Sequence, residues 1–437
     1  TIFGFGAGQV LKLVSNLILT RLLMPEVFGF ISLSYALLEG LAMFSAMGEG
    51  PAILRDKRGD DPDFVNTAWT VQVLRGNYLW LAACALAWPM ARLYDESLLL
   101  RLVPVIGLTC VLEGFYSSSI LTAKRHMRLG RLTAMTLIAQ VAGIVTTISC
   151  AYIFRSVWAL VGGALVEVSA TLILSHTFLR GISSRFRWEK AALRTLFELG
   201  KWIFLSSMLE FIARQTDRLL LGYYVDMATL GIYAMAFNLS EPFARLNMQM
   251  ARNVIMPALS RTHRDAPARM AEVFYKARVG VDAMHLPALG FVAATGPQIV
   301  DLLYDDRYLA AGWMLQVLCL RTAVRCLFEP SSAVCVASGT PKFVTLSRFV
   351  RALMIVIAIP IGWWYGGLHG VVWSTVVAEI PVLFVLWFGQ GRLGVFNPVR
   401  EMLAFALMLA GWMAGVWTVW IGTFDLFQRL VQILKGV

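Results

Sequence analysis

Charged side chains recur inside long apolar stretches of this sequence, at spacings that place them on one face of a helix. The clearest stripe lies in the second half of the chain, where polar residues follow each other at intervals of three or four positions. An ionisable residue inside a membrane-spanning helix costs about 2.5–3.5 kcal/mol on insertion scales, so it should face a protein interior or water. This stripe consists of Asn238, Glu241, Arg245, Gln249 and Arg252.

Basic residues outnumber acidic ones among these charges. Ion pairs within single helices explain part of the set, such as Glu210 with Arg214 and Arg325 with Glu329, each four positions apart. The remaining positive charge needs water or an anionic partner, and the planar guanidinium suits a phosphate or pyrophosphate. We therefore expect an anion-binding cavity formed by Lys12, Arg75, Arg214, Arg218, Arg245, Arg252, Arg321 and Arg325.

The acidic members are candidates for coupling to an ion, either a proton or sodium. Glu39 and Glu241 hold matching places in the two halves of the chain, and Asp217 lies on the same stripe as Arg214. No Ser/His/Asp, Cys/His or metal-ligand pattern occurs, and the six cysteines all lie within apolar stretches. The sequence thus predicts neither an enzyme nor a bound cofactor.

Composition shows which elements must position these residues. The chain is 58% hydrophobic and only 15% charged, with a mean hydropathy of +0.68. Its apolar stretches are about 20 residues long, enough to cross a membrane as helices. We predict an all-α integral membrane protein with thirteen spans, at about 2–23, 27–50, 67–91, 98–122, 131–154, 158–179, 201–224, 229–258, 276–298, 311–337, 343–364, 367–388 and 400–421.

The net charge of +11 would suggest nucleic acid binding in a soluble protein, but here its placement indicates topology. Lys and Arg concentrate in alternate loops, with Arg278 and Arg351 counted among them, and this bias predicts a cytoplasmic N-terminus and no nucleic acid partner. The sequence opens on an apolar helix without a basic flank, from which we expect no cleavable signal peptide. The tail TFDLFQRLVQILKGV is amphipathic, and we expect it to lie in the membrane interface or to lead into a fourteenth span.

Two halves of the chain look like repeats. Aligning Gly29 with Gly231, an offset of 202, also aligns Glu39 with Glu241 and Lys12 with Arg214. Both halves begin on the same side, so the repeats are parallel and the substrate would lie between them near the midplane. The predicted domains are an N-terminal six-span lobe (1–180), a cytoplasmic linker (181–200), a C-terminal six-span lobe (201–390), and a thirteenth span with its tail (391–437).

The first hairpin resembles that of Wzx-type polysaccharide flippases, members of the multidrug/oligosaccharidyl-lipid/polysaccharide exporter superfamily. The family's pattern is a polar first span, then L-x-P-x-x-F/Y-G, then a second span ending G-x-x-x-A-L/I. It is carried here by Leu23, Pro25, Phe28, Gly29, Gly48 and Ile53, and its repeat by Leu230, Gly231, Tyr233 and Ala236.

The resemblance implies a flippase for undecaprenyl-pyrophosphate-linked oligosaccharides in a bacterial cytoplasmic membrane, working by alternating access and coupled to an ion gradient. Its expected partners are the lipid-linked oligosaccharide, membrane lipids, and polysaccharide polymerase and chain-length proteins. A lipid II flippase remains an alternative because its headgroup also carries pyrophosphate. A cation-coupled multidrug antiporter of the same superfamily is the other alternative, although acidic and aromatic residues would then be expected in place of Arg. A membrane-bound glycosyltransferase or polymerase would need a larger loop.

Overall fold

The computed structural model describes residues 2–45, 53–54, 56–179 and 181–422. Within these ranges the chain forms helices and the segments that connect them, and no β-strand occurs. Gly48 of the hairpin motif and the amphipathic tail 423–437 lie outside the described residues. The chain divides into two compact units, Thr1–Gly231 and Ile232–Val437.

The first unit contains eight described helices and the start of a ninth. They are α1 (Ile2–Leu22), α2 (Pro25–Phe44), α3 (Pro62–Leu93), α4 (Leu99–Gly114), α5 (Ser119–Arg125), α6 (Leu129–Phe154), α7 (Val157–Thr177), α8 (Lys190–Tyr224) and α9 (Met227–Met250). The second unit continues with a π-helical turn (Ala251–Ile255), α10 (Met256–Asp265), α11 (Met270–Leu303), α12 (Ala311–Ala337), α13 (Lys342–Val377), α14 (Ile380–Arg392) and α15 (Pro398–Trp420).

Each of the thirteen predicted spans overlaps one of these helices, so the predicted all-α membrane fold is confirmed. Among the described residues, seven helical segments are long and apolar enough to cross a membrane by themselves, or eight if the bent pair α4 and α5 forms one span. Helices α8 and α9 are not among them, and these two carry the predicted charged stripes. The predicted boundary between the eleventh and twelfth spans lies at Gly367, whose φ of +52° kinks α13.

Two glycines of the repeated hairpin motif meet in the first unit. A Cβ added at Gly29 would overlap the carbonyl oxygen of Met227, and one added at Gly231 would overlap that of Pro25. The contact is reciprocal: each glycine lies against the carbonyl oxygen of the residue four positions before the other glycine. Pro25 and Met227 are accordingly separated by the same 202 positions as the two glycines. Helices α2 and α9 therefore touch backbone to backbone, and neither position has room for a side chain.

Small residues also pack α15 against α11 within the second unit. Gly411 and Gly415 of α15 form a G-x-x-x-G pair, and Gly411 lies directly against the carbonyl oxygen of Pro287 in α11. In return, Gly290 lies against the carbonyl oxygen of Met408. Close backbone approach of this kind gives α15 extensive van der Waals contact with α11.

The predicted linker is held along α3 in the first unit. Alternate backbone N–H groups, those of Arg185, Arg187 and Glu189, donate to the side chains of Asn66, Thr70 and Thr67 at 2.9, 3.0 and 3.2 Å. The Arg58 guanidinium beside Glu189 holds the pKa of that carboxyl below its usual range. The linker is thus an ordered part of this unit, and the division into lobes at 181–200 remains a prediction.

The reciprocal glycine contact predicts a cost for any side chain there. Gly29→Ala and Gly231→Ala should each lower the stability of the purified protein by about 1–3 kcal/mol, because the added methyl group meets backbone atoms that cannot rotate away. Thermal unfolding in detergent measures the effect. Gly162→Ala is the matched control, since its added Cβ meets nothing within 4 Å. Equal melting temperatures for Gly29→Ala and Gly162→Ala would contradict the contact.

Candidate functional site

In the first unit, the predicted coupling residue Glu39 lies where α2 packs against α8. The side-chain amide of Gln215 on α8 donates a short hydrogen bond to the Glu39 carboxylate. The two helices approach closely here, because Gly40 lies under the ring of Phe211. Gln215 is buried and was missed by the sequence analysis, which singled out only the ionisable residues of this stretch.

Two residues of the charged stripe of α8 form an ion pair within the helix. Arg214 lies 3.9 Å from Glu210, the intrahelical pair expected from the spacing. Asp217 is completely buried, and its carboxylate accepts the backbone N–H of Arg218 at 2.9 Å. Lys12, by contrast, is exposed on α1.

Arg75 lines a cavity of about 310 Å³ inside the first unit, together with Gln72, Cys110, Glu113 and Tyr116. Its guanidinium donates to the Ser45 hydroxyl at 2.9 Å and to the Ala42 carbonyl oxygen at 2.7 Å. Arg75 therefore caps the C-terminal end of α2, which favours a cation. Glu113, an intramembrane carboxylate, was missed by the sequence analysis.

In the second unit, four arginines gather around buried glutamates. Arg325 lies 3.1 Å and Arg245 lies 3.9 Å from the Glu241 carboxylate. Glu379, at the break between α13 and α14, lies 3.8 Å from Arg321 and 2.8 Å from Arg351. We call these six residues the arginine cluster.

Aromatic rings line part of this cluster. The guanidinium of Arg351 lies over the ring of Phe328, 4.4 Å from its centroid, and that of Arg321 lies 5.9 Å from the centroid of Phe237. Arg321, Arg351 and Glu379 are each less than 5% exposed. With Glu329, which interacts electrostatically with Arg325, four guanidinium groups face three carboxylates. Each of the carboxylates of Glu241 and Glu379 is thus shared by two arginines.

A second buried ion cluster lies between α11 and α15. Arg278 lies 2.8 Å from Asp282 on its own helix and also binds Glu401 of α15. The hydroxyl of Tyr275 and the indole N–H of Trp387 donate to Glu401 at 3.2 and 3.1 Å. None of these residues was predicted as part of a site.

Two predictions about loop charges were wrong. Arg278 and Arg351 are buried inside helices, each roughly two turns after the helix begins. Both lie near the ends of the predicted apolar stretches, where a charge is usually a flanking residue. Their partners Glu379 and Glu401 are distant in sequence, so no local spacing indicated the pairs.

The structure places the predicted site residues in both units. It brings together Glu241, Arg245, Arg321 and Arg325 in the second unit, and it leaves Arg252 exposed in the π-helical turn. Such turns inside α-helices are frequent at functional sites. Among the described residues, no group of three or more His, Cys, Asp or Glu side chains could hold a metal ion.

The Glu379 carboxylate, which two arginines share, should contribute strongly to the stability of the second unit. Glu379→Gln leaves Arg321 and Arg351 without the charge they share, and removing one partner of a buried pair costs about 3–5 kcal/mol. We expect a large fall in the thermal unfolding midpoint, partly recovered by adding Arg351→Met.

The matched control is Glu198→Gln. Its carboxylate pairs with Arg194 at 3.1 Å, but both side chains are more than 60% exposed, so the change should cost less than about 1 kcal/mol. If Glu379→Gln unfolded at the same temperature as this control, the arginine cluster would contribute nothing to stability.

Comparison with known families gives a match over most of the chain. The sequence model of a family described as "Polysaccharide biosynthesis protein" matches residues 18–313. The lipopolysaccharide biosynthesis protein WzxC of Escherichia coli is 20% identical over 86% of this chain and 77% of its own length. The succinoglycan biosynthesis transport protein ExoT of Rhizobium meliloti is 22% identical over 91% of this chain and 81% of its own length.

Solved structures share the fold. The lipid II flippase MurJ superposes with a TM-score of 0.75 at 12% identity, over 99% of this chain and 96% of its own. A multidrug resistance MATE family transporter of the MOP superfamily superposes with a TM-score of 0.72 at 16% identity, over 88% of this chain and 94% of its own. At these identities the likeness establishes the fold alone.

Proposed function

Since this chain belongs to the polysaccharide biosynthesis protein family, we propose that it is a flippase for oligosaccharide repeat units linked to undecaprenyl pyrophosphate. The predicted resemblance to Wzx-type proteins is confirmed by the family match and by WzxC, ExoT and their relatives. The chain is a multi-pass membrane protein of the transporter type and not an enzyme. The proposed process is the supply of exopolysaccharide, capsule or O-antigen units across a bacterial cytoplasmic membrane.

The proposed substrate is supported by the way the arginine cluster shares its charge, since Glu241 and Glu379 are each shared by two arginines. The Arg245 side chain is 46% exposed, so a diffusing anion can reach the cluster. A pyrophosphate would add negative charge beside these arginines, and each guanidinium can donate two parallel hydrogen bonds to its oxygens. In the proposed mechanism, alternating access exposes an Arg-rich cavity that binds the pyrophosphate first from one side of the membrane and then from the other.

The sign of the charge distinguishes this proposal from drug transport. A cation-drug antiporter would need an excess of carboxylates to hold its substrate, whereas arginines are in excess around Glu241 and Glu379. A lipid II flippase remains the second candidate, because its substrate carries the same pyrophosphate. The fold it shares with MurJ is compatible with either substrate.

For ion coupling, the surroundings of the candidates favour Glu39. Its carboxylate accepts a hydrogen bond from a neutral amide, whereas Glu241 is held by two arginines. Two arginines compensate the charge of the Glu241 carboxylate, whereas the neutral amide of Gln215 brings no positive charge to Glu39. We propose proton or sodium coupling through Glu39, with Asp217 and Glu241 as further candidates, and a cytoplasmic N-terminus. Membrane lipids, polymerase and chain-length proteins are the proposed partners.

Transport by the reconstituted protein tests the proposal. Proteoliposomes loaded with radiolabelled undecaprenyl-pyrophosphate oligosaccharide, lipid II or a cationic drug would be compared with and without a proton gradient. We expect leaflet transfer of the oligosaccharide carrier. Transfer of lipid II alone would favour the second candidate, and transfer of none of the lipid-linked substrates would overturn the flippase proposal.

Charge removal tests the anion site. Arg325→Gln and Arg321→Gln, both in the arginine cluster, should each lower the transport rate about 10- to 100-fold, the loss expected when charged hydrogen bonds worth about 1.5–3 kcal/mol disappear. Arg194→Gln is the control, because Arg194 is exposed and pairs only locally with Glu198. Thermal unfolding of each variant separates a folding defect from lost binding. Transport at the wild-type rate by both folded variants would show that these arginines do not bind the substrate.

A further inference from the structure

Four buried side chains between α11 and α15 form a cluster that the proposed transport mechanism does not use. Arg278, Asp282 and His285 follow each other at intervals of four and three positions along α11, and Glu401 faces them from the first turn of α15. Each is at most 4% exposed. This group is here called the α11–α15 cluster.

Glu401 is the member of the cluster whose carboxylate has the most hydrogen-bond donors around it. It accepts from the Arg278 guanidinium, the Tyr275 hydroxyl and the Trp387 indole. Three donors around one carboxylate stabilise its ionised form. Glu401 and Arg278 therefore form a hydrogen-bonded ion pair, whereas Arg278 Nη2 is buried without a hydrogen-bond partner in the described part of the chain.

The second carboxylate leaves the cluster one proton short of neutrality. Arg278 contributes one positive charge, whereas Asp282 and Glu401 contribute two negative charges when both are ionised. The charged groups that act on Asp282 include Arg278, Glu401 and His285. From α12 the Cys326 thiol faces it, and the same thiol is within electrostatic reach of Arg325, Glu329 and Glu241 of the arginine cluster region. Arg400 lies on the outer side of Tyr275 and is exposed. A net negative charge in a buried cluster is unfavourable, and one added proton removes it.

Two atoms in the cluster are ready to take that proton. The Asp282 Oδ1 and His285 Nε2 atoms are buried and have no hydrogen-bond partner in the described part of the chain. His285 Nδ1 lies 2.8 Å from the Val281 carbonyl oxygen, which can only accept, so Nδ1 carries a hydrogen. In the neutral ring Nε2 then has a free lone pair, which can accept a hydrogen bond.

We propose that Asp282 and His285 form a buried proton-binding site in the second unit, with Arg278 and Glu401 as its fixed charges. The proton comes from water and is held by Asp282 Oδ1, with His285 Nε2 as the free acceptor in the same cluster, and no other bond changes. The ligand is a proton and not a metal ion, because the described residues offer no set of three such ligands. Use of this proton to drive transport rests on the proposed function, whereas the site itself does not.

The site predicts a stability that depends on pH. The folded protein binds a proton that the unfolded chain releases, so its stabilisation is present at low pH and lost as pH rises through the titration of the site. Full-length protein in lipid nanodiscs would be unfolded thermally at a series of pH values from mildly acidic to mildly alkaline. The wild-type midpoint should fall with rising pH.

Two variants isolate the site. Asp282→Asn has nearly the same shape and is neutral, so the folded protein should bind one proton fewer and the midpoint should become nearly independent of pH. His285→Gln should change the same slope. His369→Gln is the control, because His369 is exposed and stacks on Trp313 with ring centroids 4.1 Å apart. Wild-type slopes in both Asp282→Asn and His285→Gln would overturn the proposal.

Spectroscopy provides a readout that needs no stable variant. Infrared difference spectra of wild-type protein between two pH values should show a buried protonated carboxyl group. Absence of this signal would also overturn the site. Proton titration without lipid transport would uphold the site and remove the proposed function, and transport without titration would do the reverse.

Discussion

An ionised side chain inside a membrane protein must have its charge compensated nearby, and this requirement determines which helices come together. Glu379 binds two arginines from different helices, and Glu401 joins α15 to α11 through Arg278. Each pair would be costly to separate, because the apolar surroundings offer no water to replace the lost partner. Close packing adds van der Waals contact to these ion pairs, because small residues such as Gly290 and Gly411 let the helix backbones approach.

Unequal sharing of charge also indicates where a ligand is a candidate to bind. We propose an anion site at the arginine cluster, where two arginines share each carboxylate, and a proton site at Asp282, where two carboxylates share Arg278. Both proposed sites lie in the second unit, and they use opposite signs of charge.

Much of the fold was predictable because helix periodicity and span length are local properties of the sequence. Each of the thirteen predicted spans overlaps a helix because the length of an apolar stretch can be read locally, and the pair Glu210–Arg214 was found as expected from its spacing. The site was only partly predictable. Arg351 looked like a flanking charge because it stands near the end of its apolar stretch. Its true environment depends on Glu379, and tertiary contacts between distant residues leave no short motif.

The reciprocal contact of Gly29 with Gly231 has a consequence for how the two halves of such a chain can diverge. In most packed pairs, a larger residue on one side can be accommodated by a smaller one on the other. Here the obstacle on each side is a carbonyl oxygen, which no substitution can shrink. The two glycines therefore cannot covary: in any set of related sequences each should be constant by itself, and a duplicated hairpin would keep this pair while the rest of its two copies drifted apart.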